Sequence, residues 1–119
     1  MDIDQVQAAL GPSDRLLYAL PLSSGQDAIK FLDIRASSAE YVETDLMPAE
    51  LEAALVPFTS DDPLGAAEVQ HVSASRITIG LRVSETSRDG VLYIVPSGPL
   101  YFVPWGALNV NRPVVVLPT

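Results

Sequence analysis

With 119 residues, 48% of them hydrophobic, and a formal net charge of −8, the chain suffices for one domain with its own core and is too short for two. Its seven basic residues, Arg15, Lys30, Arg35, Arg76, Arg82, Arg88 and Arg112, are scattered and make no basic patch, which disfavours nucleic-acid binding. The absence of cysteine excludes a thiol nucleophile, a disulfide and a thiolate metal site within this chain, and fits a reducing compartment.

The longest uncharged apolar run falls well short of the ~18 residues of a membrane span, so no membrane partner is expected. The N-terminus, MDIDQVQAAL, carries acids where an export signal carries positive charge, and a cytoplasmic location is expected.

Asp2–Leu10 predicts a short helix with Val6, Ala9 and Leu10 on one face, ended by Gly11-Pro12. Arg15–Leu22 predicts a strand, with Leu16, Tyr18, Leu20 and Leu22 on one side. Pro21 marks that strand as an edge or as near its terminus. After the turn Ser23–Asp27, Ala28–Arg35 returns as an antiparallel partner, apolar on both faces. Ser37-Ser38 leads into a third strand carrying Tyr41, Val42 and Leu46. Pro48 suits the first turn of a helix over Ala49–Val56, which Pro57 limits. Phe58–Gly65 reads as a loop.

Residues 66–88 give two signals. Ile77, Ile79, Leu81 and Val83 alternate with Thr78, Gly80 and Arg82 as in a strand, whereas the flanks AAEVQHVSAS and SETS are equally compatible with helix. Arg88-Asp89-Gly90 is a turn. Gly90–Leu108, GVLYIVPSGPLYFVPWGAL, is the stretch around which the chain is organised. It reads as a buried strand Val91–Val95, a Pro-Ser-Gly-Pro turn, a second extended piece Leu100–Val103, and a turn or short helix opened by Pro104-Trp105. Asn109–Arg112 is a loop, and Pro113–Leu117 predicts another buried strand.

Few residues offer chemistry. His71 is the sole histidine and has neither a cysteine nor a second histidine to work with, so it reads as structural. Asp61-Asp62 and the pair Asp2 and Asp4 lie in exposed-looking segments, where solvated charge is the default. Ser97 lacks both the G-x-S-x-G context and a histidine partner. The Gly98 turn is too short and too proline-rich to cradle a phosphate. Trp105, with Pro104, Phe102 and Tyr101, reads as an anchor of the turn onto the core rather than a ligand groove. No catalytic residue, metal site or cofactor site is expected.

The central stretch resembles the CHAT domain, a caspase-like family of cysteine peptidases. The matching elements are Leu92–Pro96, Gly98, Leu100, Val103-Pro104-Trp105 and Ala107-Leu108. RLLYAL with KFLDIR resembles the family's opening hairpin, LMPAELEAAL its following helix, and PVVVLPT its next strand. The resemblance covers nearly all of this chain and about the first half of a CHAT domain, and it favours a helix at 66–88. It implies an α/β fold, a partial caspase-like three-layer sandwich opening with an antiparallel hairpin. Pro96, Gly98, Leu100, Pro104, Trp105 and Leu108 are then structural positions. The family's catalytic histidine and cysteine lie further downstream, after later strands.

On this resemblance the chain is the non-catalytic N-terminal portion of a bacterial, cytoplasmic cysteine peptidase, with a protein substrate acted on only when the catalytic half is supplied. Val91–Val95 and Pro113–Leu117 are expected to be neighbouring interior strands. With few amphipathic helices to cover them, the sheet is expected to need a downstream segment, a partner chain or self-association. The alternative is a stand-alone protein-interaction module that keeps half of the scaffold and has no peptidase activity.

Overall fold

Strands that are apolar on both sides dictate a sheet needing cover on both faces, and the chain supplies that cover unequally. The structure, a computed structural model, describes residues 2–21, 27–59, 66–81, 89–105, 108 and 112–117. Strands β1 (Arg15–Ala19), β2 (Lys30–Arg35), β3 (Ser38–Glu43), β4 (Leu92–Val95) and β5 (Val114–Val116) form one mixed sheet in the order β3-β2-β1-β4-β5. β2 runs antiparallel to both β1 and β3, whereas β4 lies parallel to β1 and β5. Register places Leu16 opposite Ile34 and Tyr93, and Leu17 opposite Asp33 and Ile94. Strand side chains alternate between faces, so Leu17, Ala19, Phe31, Leu92 and Ile94 share a first face. Leu16, Leu32, Ile34 and Val95 share the second.

The first face carries the larger core. Helix α2 (Pro48–Thr59) contributes Leu51, Ala54 and Leu55, and helix α3 (Ala66–Gly80) contributes Ala74 and Ile77, with Leu81 following. α2 starts at Pro48, which has no N–H to waste there. The Met47 N–H donates to Glu50 Oε1 at 3.2 Å, completing the cap. Among the described residues the second face receives only helix α1 (Ile3–Ala9), through Ile3, Val6 and the following Leu10. Asp2 caps α1 by accepting the N–H of Asp4 at 3.0 Å and of Gln5 at 3.3 Å.

The starts of β1, β4 and β5 are knotted together. Asp14 accepts the N–H of Val91 at 2.8 Å, and Arg112 donates to the carbonyls of Ser13 at 2.6 Å and Asp89 at 3.1 Å. Gly90 adopts φ +81°, and a Cβ there would lie 2.3 Å from the Ser13 carbonyl oxygen. Only glycine allows this approach.

Of the two signals at 66–88 the helix holds: over residues 66–80 Ala74 and Ile77, with Leu81 following, are buried while Ile79 is exposed, a spacing that only a helix produces. Several other expectations are corrected. The predicted extended piece Leu100–Val103 is instead the end of a 3-10 helix over Gly98–Phe102, into which Pro99 sets a helical φ. Pro57 does not limit α2; the helix runs on to Thr59, because Pro57 removes only one bond, near its end. Of the two readings of Pro21 the terminus holds and the edge does not: β1 ends at Ala19 and lies mid-sheet. β5 is a strand beside β4 as expected but not a buried interior one. Among the described residues it is the sheet's edge, and Val115 and Val116 are 40% and 47% exposed. The segments 22–26, 60–65, 82–88 and 109–111 lie outside the described residues, and with them parts of the predicted turn and loops and the end of the expected 66–88 helix.

Candidate functional site

The residues singled out in the central stretch converge on the core of the first face. Pro96 is fully buried where β4 ends, and Leu100, Val103, Trp105 and Leu108 pack with Leu92 and Ile94. Pro104 is half-buried between Val103 and Trp105. Gly98 sits at φ +58° with open space around it, so there the backbone conformation alone calls for glycine. Trp105 anchors the turn, and among the described residues its buried Nε1–H has no hydrogen-bond partner. Tyr101 and Phe102 do not join it; both are exposed.

The candidates for chemistry are not brought together. Asp2 serves as the cap of α1 and Asp4 stands in its first turn. Ser97 precedes the 3-10 helix without a side-chain cap bond. His71 falls within α3, with its side chain outside the described residues, as are Asp61 and Asp62. Among the described residues, no three His, Cys, Asp or Glu side chains cluster as metal ligands, and no helix is long and apolar enough to cross a membrane.

Two charged arrangements were not foreseen. Arg15 donates to Asp33 twice, from Nε to Oδ1 and from Nη2 to Oδ2, each at 3.0 Å, and both residues are buried. The pair lies on the first face because Arg15 shares the parity of Leu17 and Asp33 that of Phe31. The available signal was the phase of two charges within otherwise apolar strands. Asp14 accepts N–H groups from Gly11 and Val91, and these bonds, Gly11's foremost, hold its carboxyl below the usual carboxylate range. Burial opposes that shift and the Arg112 charge adds to it.

What remains open is the second face and its edge. Leu92 N–H donates to the Pro113 carbonyl at 2.9 Å and Leu117 N–H to the Ile94 carbonyl at 2.7 Å. Alternation then turns the backbone polar groups of Val114 and Val116 away from β4, toward the free side. Beside this edge a groove of about 300 Å³ runs between α1 and the sheet, lined by Val6, Ala9, Leu10, Leu16, Tyr93 and Leu117. Tyr18 and Leu20 are likewise only partly covered. An apolar face meeting a strand edge that no described residue pairs with is suited to receive polypeptide, through strand addition and apolar contact together. No protein-family model, curated protein or solved structure matches this chain.

Proposed function

We propose that this chain is a non-catalytic sheet scaffold, the N-terminal portion of a CHAT-type caspase-like domain, which a His- and Cys-bearing segment or partner chain completes. The observation that supports this reading is the parallel block β1-β4-β5, which ends in a bare edge beside a half-covered face. A further parallel strand on β5, with a helix over Tyr93 and Leu117, would extend the fold into a three-layer sandwich. The resemblance of residues 92–108 to the family's motif points the same way. Thiolate attack on a peptide carbonyl, with histidine as base, is then chemistry that the added segment would supply.

The purified chain is expected to cleave no peptide substrate and to be indifferent to thiol alkylation. If the reading frame continues beyond Thr119, adding the polypeptide encoded there is expected to give thiol-dependent cleavage. Cleavage by the chain alone that survives repurification and alkylation would overturn the proposal. The second reading, a stand-alone interaction module with no peptidase activity, is favoured by the same edge. A stop codon directly after Thr119, together with capture of a partner strand, would select it.

A further inference from the structure

Away from the second face, two exposed patches each combine apolar side chains with one charge, of opposite sign. On α2 and the 3-10 helix, Glu52, Leu55, Val56, Gly98, Pro99 and Phe102 line an open groove of about 490 Å³. Val56 is 61% and Phe102 77% exposed, and Glu52 is the one ionisable group in the lining. On α3, the side turned away from the core carries Val72 and Ile79, 67% and 69% exposed, with Arg76 between them. Positions 72, 76 and 79 follow i, i+4, i+7, so they form one stripe about 10 Å long. Among the described residues neither Glu52 nor Arg76 forms a salt bridge.

An apolar groove with a carboxylate calls for aliphatic anchors flanking a cation, and α3 displays that set on its solvent side. We propose that a second copy of this chain occupies the groove, its α3 stripe seating Val72 and Ile79 against Val56 and Phe102 while Arg76 meets Glu52. Each copy carries both patches, so a twofold contact forms the pair twice. The arginine can also stack on the exposed ring of Phe102. The net charge of −8 on each copy opposes association, but at physiological salt the Debye length is about 8 Å, which leaves short-range pairing dominant.

The test is sedimentation velocity across a concentration series at physiological salt, with circular dichroism confirming the fold of each variant. The wild type is expected to form dimers. Glu52→Arg alone and Arg76→Glu alone place like charges together and are expected to weaken association at least about tenfold. An equimolar mixture of the two variants is expected to recover dimers, since both contacts of the mixed dimer pair opposite charges, one as in the wild type and one reversed. Val115→Lys, on the β5 edge, is expected to leave the dimer unchanged. A monomeric wild type, single variants that associate like the wild type, or loss of the dimer in Val115→Lys would each overturn the proposal.

Discussion

Asp14 uses different oxygens for its two backbone donors, Oδ2 for Gly11 and Oδ1 for Val91, each at 2.8 Å. A carboxamide has only one acceptor oxygen, so Asp14→Asn leaves one N–H facing an NH₂ group. Because the folded carboxyl is held below its ordinary value of 3.8, its stabilisation is fully present above that value. It is lost as pH falls through the lowered folded value. Asp14→Asn is therefore expected to be less stable than the wild type at neutral pH, with a gap that closes in acid. Denaturant midpoints measured across the pH range test this, and a gap independent of pH would contradict it. In the sequence Asp14 is one polar residue after Gly11-Pro12, and its second partner lies 77 positions away. Such a bond becomes legible only once β1 and β4 are known to be neighbours. Arg15 and Asp33 illustrate the same limit: their strands could be read from local pattern, but their pairing depends on register across a turn.

α3 shows how two periodicities compete within one segment. Ile77, Ile79 and Leu81 satisfy a period of two, yet the helix buries Ile77 and Leu81, one turn apart, and turns Ile79 to solvent. Thr78, on the buried side, disposes of its hydroxyl by donating to the Ala74 carbonyl at 2.8 Å, which a helix provides and an isolated strand does not. Ile77→Ala is expected to cost about 2–5 kcal/mol of stability, and Ile79→Ala to stay within about 0.5 kcal/mol. Thermal or denaturant unfolding at concentrations below dimer formation measures both, and equal losses would favour the strand alternation. The hairpin β1–β2, the position of α2 and the adjacency of β4 and β5 were legible because apolar runs and Pro/Gly punctuation act locally. The exposure of β5 was not, since an isolated β-branched run looks the same in a central strand and at an edge.

At the scale of the whole molecule the sheet is lopsided. The first face is closed by two helices, the 3-10 helix and Trp105, and its buried side chains run from Leu17 to Leu108. Among the described residues the second face has seven helical residues for cover, tied down by a hydrogen bond from Gln7 Nε2 to the Ser38 carbonyl at 3.0 Å. Tyr18, Leu20, Tyr93 and Leu117 remain partly wet. Apolar surface of this kind on a folded domain attracts apolar ligands, because covering it is favourable by roughly 25 cal/mol per Å² of area removed from water. The native chain is therefore expected to bind an environment-sensitive apolar dye while still unfolding cooperatively. Monomeric Glu52→Arg is expected to keep the signal, because its change lies on the other side of the sheet. Leu117→Lys, placed in the groove beside Tyr93, is expected to reduce it. A compact, dye-silent monomer would show that α1 suffices to close the second face, and the case for a completing segment would fall with it.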